Sequence, residues 1–172
     1  MSKTFLLPTL LLSLLLTLTA CTTRPEDHYP DASISSLTVA ETDWYAAGIT
    51  HYQLVTEIHF ANERRLHTVT VKDQIILEKM VAYWDADLGD WREPKPMGEE
   101  EAYWYTVPGL FGTIRGALLK ECRSFVRNEL SGTPTFPRMI VLGPPQVDGE
   151  IVEDIVSWIE VIEFTPLGED EG

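Results

Sequence analysis

The sequence predicts a single α+β domain: an antiparallel sheet of about five or six strands, an N-terminal helix, and one amphipathic helix packed on a sheet face. Three observations carry this. His51 to Phe60 alternates, with Tyr52, Leu54, Thr56, Ile58 and Phe60 on one side of a strand and His51, Gln53, Val55, Glu57 and His59 on the other. Leu110, Phe111, Ile114, Ala117 and Leu118 recur at helical spacing. Beyond the first 20 residues, about 150 remain, enough to bury one core and too few for two.

The N-terminal segment stands apart from that domain. Met1-Ser2-Lys3 supplies a minimal basic start, Phe5 to Leu16 is leucine-rich, and Leu18-Thr19-Ala20-Cys21 follows. The apolar run is too short to span about 30 Å of hydrocarbon, but it suits the core of a signal peptide. Leu-Thr-Ala-Cys resembles the lipobox of bacterial lipoproteins. That resemblance implies a signal peptide over residues 1–20, diacylation of the Cys21 thiol, cleavage before it and acylation of the new amine. A single acyl chain holds a bilayer only marginally at about 0.8 kcal/mol per buried CH₂, whereas two or three anchor almost permanently. Thr22 and Thr23 stand where lipoproteins retained in the inner membrane carry Asp. The resemblance therefore implies the outer membrane, facing the periplasm. The alternatives are a soluble protein cut after Ala20 and a retained membrane helix; the run's Thr, Ser and Pro and the lack of a basic flank argue against the latter.

From Cys21 to about Ser36 the chain is polar, proline-punctuated and aperiodic, and reads as a flexible tether reaching about 20 Å. The domain is expected over residues 37–167. Thr38-x-x-Glu41 offers a capping box for a short helix, Trp44 its apolar anchor with Ala40 and Ala47, and Gly48 its C′ residue. After the His51–Phe60 strand come a turn at 61–65, a return strand Leu66 to Lys72, a tight Asp73-Gln74 turn and a third strand Ile75 to Ala82. Trp84 to Thr106 reads as a long connection, in which Tyr103-Trp104-Tyr105 alternates like a strand covering the core. Thr106 caps the amphipathic helix, and Lys120 near its end suits the dipole. Strands are expected at Arg123 to Leu130, Pro137 to Leu142 and Trp158 to Phe164, the last apolar on both faces except Glu160 and Glu163 and hence well covered. Residues 168–172 form an acidic tail.

The order Trp44-x-x-x-Gly48-Ile49-x-x-Tyr52, Val69-Thr70-Val71-x-Asp73, Thr106-Val107-x-x-Leu110-Phe111-x-x-Ile114 and Ser131-Gly132-Thr133-Pro134 resembles a family of small secreted and lipid-anchored bacterial domains of unknown function. The resemblance spans residues 37–166. It implies an envelope α+β domain and transfers no functional residue. This chain has Gln74 where members often have Gly, and it lacks the cysteine pair many carry after the first strand's Tyr motif.

Charge excludes some partners. The formal net charge is −14, and Lys3 is the only charged side chain ahead of Cys21, so the chain from Cys21 onward carries −15. Arg138 is the last basic residue. Such a chain repels phosphate backbones, which argues against nucleic acid, and is held off anionic lipid, leaving the acyl anchor as the membrane contact. The acidity serves solubility or docks a basic protein partner in the envelope. With Cys21 lipidated, Cys122 has no intrachain partner and reads as a small buried residue.

Three constellations invite chemistry. His51 and His59 are about 27 Å apart on one extended strand and cannot share an ion, and strand alternation can set His59 and His67 on opposite faces. No metal or other cofactor is expected. Asp85, Asp87 and Asp90 resemble a calcium loop, but Gly89, Asp90 and Pro96 fail its decisive positions. Trp84, Trp91, Tyr103, Trp104 and Tyr105, among acidic residues, form the candidate binding surface. No catalytic residue is assigned. The expected function is a non-catalytic interaction or accessory module. The alternatives are an envelope hydrolase acting on glycan or peptide, with a carboxylate between Asp85 and Glu101 as acid or base, and a small-ligand carrier with a cavity between helix and sheet.

Overall fold

The computed structural model describes residues 28–168. In chain order the elements are α1 (Ile34–Ala46), β1 (His51–Phe60), β2 (Glu63–Lys72), β3 (Ile75–Asp85), β4 (Asp90–Trp91), β5 (Lys95–Pro96), α2 (Glu99–Tyr103), α3 (Val107–Lys120), β6 (Val126–Ser131), β7 (Phe136–Leu142), β8 (Gln146–Val147), β9 (Glu150–Ile151) and β10 (Ser157–Pro166). The class is α+β. Eight antiparallel strands make one sheet, ordered β4-β3-β2-β1-β10-β7-β6 with β5 also on β3, and β8 and β9 pair separately. The expected five or six strands undercount it, because the connection after Trp84 adds β4 and β5 to the β3 edge. That segment is paired structure, not a free loop.

The β1–β2–β3 meander follows from alternation and turn chemistry. Tyr52, Leu54 and Thr56 are buried on β1, and His67, Val69 and Val71 on β2. Asp73 and Gln74 both have positive φ, 51° and 68°, which fits the two-residue turn whose twist matches flanking strands. Gln74 takes this conformation without the glycine that eases it.

Helix α1 starts earlier than the capping box suggests. Ser33 is its N-cap, its Oγ accepting from the Ser36 N–H at 3.1 Å, while the Thr38 hydroxyl donates back to the Ile34 carbonyl at 2.8 Å. The buried stripe is Leu37, Ala40 and Trp44; Ala47 is exposed. The end of the expected tether is also structured. The Asn128 N–H donates to the Pro30 carbonyl (3.1 Å) and the Ala32 N–H to the Val126 carbonyl (2.8 Å), so residues 30–32 cover the β6 edge. Covering an edge strand removes a template for unwanted pairing.

Helix α3 matches its expected span and cap: the Thr106 Oγ1 accepts from the Gly109 N–H at 3.1 Å, and Val107, Leu110, Phe111, Ile114 and Ala117 are buried. It packs with α1 on one face of the sheet, where Arg115 pairs with Glu41. Between them lies an aromatic nucleus in which Trp44 meets Tyr52, Phe136 and Phe164 edge-on at 5.5, 5.8 and 5.7 Å. Strand β10 is central, between β1 and β7, yet is not covered on both faces as expected. The register passes from Val55↔Glu163 to Thr56↔Val161, so Ile162 is a bulge residue and is 48% exposed.

Candidate binding surface

The fold separates the five aromatics into three places. Cys21 lies outside the described residues. Register fixes Tyr83 on the helix-covered face beside Arg65, so the next residue, Trp84, points to the opposite face with Arg64, His59 and Trp158. Trp91, brought back by the β3–β4 hairpin, meets Trp84 edge-on at 5.3 Å. The Arg64 guanidinium lies over both rings, at 4.4 and 5.3 Å, and pairs with Glu57 at 2.7 Å. Glu57 also meets His59 at 2.6 Å, and His59 stacks on Trp158 at 4.4 Å. This row crosses five strands, from β4 to β10.

Tyr103 and Trp104 are elsewhere. After β5 the chain passes into α2, which seats Met97 and Ala102 in the core, and the expected Tyr103-Trp104-Tyr105 strand is the end of α2 and the turn into α3. A turn, unlike a strand, sends three consecutive side chains in different directions. Tyr103 and Trp104 are each 48% exposed, whereas Tyr105 turns inward and stacks on His67 at 3.8 Å. The single aromatic surface expected from sequence is therefore corrected: Trp84 with Trp91, Tyr103 with Trp104, and Tyr105 serve three sites.

Tyr103 lines a groove of about 370 Å³ between the end of α1, the β2–β3 turn and the α2–α3 junction. Trp44, Tyr52, Val71 and Ile76 give it an apolar wall, and Tyr45, 64% exposed, stands at its mouth. Sequence reasoning passed over Tyr45, which sits one residue beyond the core anchor Trp44. The Tyr52 hydroxyl accepts from the Val107 N–H at 3.3 Å, at the start of α3. Burial pushes this phenol up to about 12, so it stays a neutral strut. Beside the groove a second cleft joins Tyr103 and Trp104 to Glu99, Glu100, Gln74 and Ile76. Aromatic rings at an apolar opening with carboxylates on one rim can seat an apolar segment flanked by positive charge.

The remaining constellations resolve simply. The Asp85 carboxylate accepts from the Asp87 and Leu88 N–H groups at 3.0 and 3.2 Å and from Arg92 Nε at 3.0 Å. The Leu88 bond foremost, with Arg92 assisting, lowers its pKa; this is a turn cap. His59 and His67 occupy opposite faces of the sheet. Among the described residues no three His, Cys, Asp or Glu side chains converge as metal ligands, and no helix is long and apolar enough to cross a membrane. Cys122 is half-buried just past α3, where its carbonyl accepts from the Gln146 N–H at 3.0 Å. No family model matches this chain, and no curated protein does.

Proposed function

We propose that this chain is an envelope protein held at a bilayer by acyl chains on Cys21, most consistent with the outer membrane facing the periplasm, and that its folded part is a non-catalytic binding module. The observation that carries the binding role is the groove rimmed by Tyr45 and Tyr103, with Trp104 in the adjoining cleft. Three large rings held open to water around a preformed apolar wall are uncommon unless something docks there. Glu99 and Glu100 on the adjoining rim, in a strongly acidic chain, select a protein segment with apolar anchors and a basic flank. Of the carboxylates from Asp85 to Glu101, Asp85 is held by its turn and Arg92, and Glu99 reaches Lys79 at 3.7 Å while 80% exposed, so neither is poised as a buried acid or base.

The test is site-specific photo-crosslinking in the host envelope, with the crosslinker at Tyr103, Trp104 or the exposed control Leu119. A discrete adduct to one envelope protein from 103 and 104, absent from 119, is expected. Equal adducts from all three, or none, refute the docking site. Cys21→Ser is expected to shift the protein from the membrane to the soluble fraction, and intact mass of the unmutated protein to show the acyl chains. An unmodified thiol overturns the anchor.

A further inference from the structure

A second hollow of about 340 Å³ lies on the helix-covered face, away from the aromatic groove. Its floor crosses four neighbouring strands, from Arg65 on β2 through Ile58 and Phe60 on β1 and Ile159 on β10 to Leu142 on β7, and Tyr105 stands over one end. Four strands at about 4.8 Å spacing make a trough roughly 14 Å long. Its floor is apolar apart from Ser157 on β10, Glu63 stands at its edge, and its one cation is Arg65.

One row further in, the sheet buries two polar side chains without partners. Thr56 and His67 face each other across β1 and β2, both fully buried. The Thr56 hydroxyl and both His67 ring nitrogens make no hydrogen bond among the described residues. Leaving such groups unpaired forfeits their hydration without a replacement bond, so two in contact register call for a reason. Tyr105 lines the trough and covers His67, its ring stacked on the imidazole within 22° of parallel. That ring belongs to the short turn between α2 and α3, and swinging it off His67 would uncover the imidazole face toward the trough. The deep end then presents three donors, the Arg65 guanidinium, the Thr56 hydroxyl and a His67 N–H. Three donors above an apolar channel suit an acceptor head on an apolar tail.

From this juxtaposition we infer that the trough binds a small monocarboxylate with an apolar tail, its carboxylate held by Arg65, Thr56 and His67 after Tyr105 swings aside. The site is independent of the aromatic groove. In the free protein Arg65 is engaged by Glu63, which accepts from its Nε at 3.1 Å, and lies 5.5 Å from the Tyr83 ring. Glu63 is on the rim and 53% exposed, so an incoming carboxylate competes with it for the guanidinium. The charged group acting on His67 is Arg65 from its own strand, itself paired with Glu63, while Tyr105, stacked on the imidazole, is flanked by Glu101, Arg65 and Tyr83. Burial, helped by Arg65, lowers the free imidazole to about 4. A carboxylate placed against it favours the protonated ring, so binding takes up a proton at mildly acidic pH.

The experiment titrates the purified chain with decanoate and, as the neutral control, decanol, reading heat and the His67 imidazole resonances. Decanoate is expected to bind at one site at least tenfold more tightly than decanol and to raise the His67 pKa. Thr56→Val keeps the shape and removes a hydroxyl with no partner to lose. It is expected to fold at least as stably and to bind decanoate about tenfold more weakly, while Arg65→Met loses binding and Glu63→Gln tightens it. Equal affinity for decanol, no binding of either probe, unchanged binding by folded Thr56→Val, or a His67 titration indifferent to decanoate each overturns the assignment.

Discussion

Gly109 sits in the first turn of α3, where the turn after α2 crosses it. A Cβ at this position would lie 2.0 Å from the Tyr103 carbonyl oxygen and 2.8 and 2.9 Å from the Trp104 Cα and carbonyl carbon. All three are backbone atoms, so no rotamer change relieves the clash; the α2–α3 junction has to move. Overpacking of this kind costs about 1–3 kcal/mol and more when backbone shifts, against a gain of about 1 kcal/mol from replacing a helical glycine. Gly109→Ala is therefore expected to lower stability by about 2 kcal/mol, about 1 M in urea midpoint and roughly 8 °C in Tm. Gly116, two turns on in the same helix, has nothing within 4 Å of its added Cβ. Gly116→Ala is expected to raise stability by up to about 1 kcal/mol. Urea unfolding followed by helical circular dichroism measures both. The same chemical change in one helix thus gains opposite signs from packing alone. If Gly109→Ala is as stable as the parent, or follows Gly116→Ala upward, the close crossing that fixes Tyr103 and Trp104 is wrong.

Two further perturbations test other parts of the fold. His67 takes up a proton near 6.5 when unfolded and near 4 when folded, so between those values the unfolded chain binds more protons. Its contribution is full above pH 6.5 and is lost as pH falls toward 4, at no more than about 1.4 kcal/mol per pH unit; His67→Leu is expected to remove this slope in urea midpoints measured at pH 7, 6 and 5, and an unchanged slope refutes it. Ser33→Ala is expected to cost about 1 kcal/mol as the loss of a helix cap, whereas Thr38→Ala, whose hydroxyl only bonds back into the helix, should change the midpoint by a few tenths. The reverse order would restore the later helix start.

The long elements were legible because each satisfies one dominant periodicity. β1 alternates, α3 repeats every three to four residues, and Asp73-Gln74 is polar between two β-branched runs. The start of α1 was missed because Ser33, Ser36 and Thr38 are all competent caps, and tertiary contacts decide among them: residues 30–32 lie along β6 and fix the entry. Two-residue strands such as β4 and β5 carry no period of their own and exist only because β3 offers its edge. The aromatic surface failed for a related reason. Tyr103-Trp104-Tyr105 alternates as a strand would, but Glu99–Tyr103 is already helical, so adjacent rings diverge. The buried Thr56–His67 pair was half visible: alternation places both residues on strands, and only the register shows that they face each other without partners.

The row on the helix-free face, from Trp91 and Trp84 through Arg64, Glu57 and His59 to Trp158, looks at first like the stronger binding platform. Its ring faces argue otherwise. Arg64 covers Trp84 and Trp91, and His59 covers Trp158, so the π-surfaces on which a sugar or peptide would stack are already engaged by the protein's own polar groups. Glu57 receives both Arg64 and His59, and its side chain is only 14% exposed, so the charges are matched inside the row. Side chains paired across five adjacent strands stabilise a sheet whose second face has no helix layer. Tyr45, Tyr103 and Trp104 contrast with this: they are 64%, 48% and 48% exposed and line hollows, and Tyr103 meets Trp104 edge-on, at 5.6 Å, in place of a covering cation. What distinguishes a docking aromatic from a clamping one is the occupancy of its faces, and on the proposed reading that criterion favours docking on the helix side of the sheet and cohesion on the other.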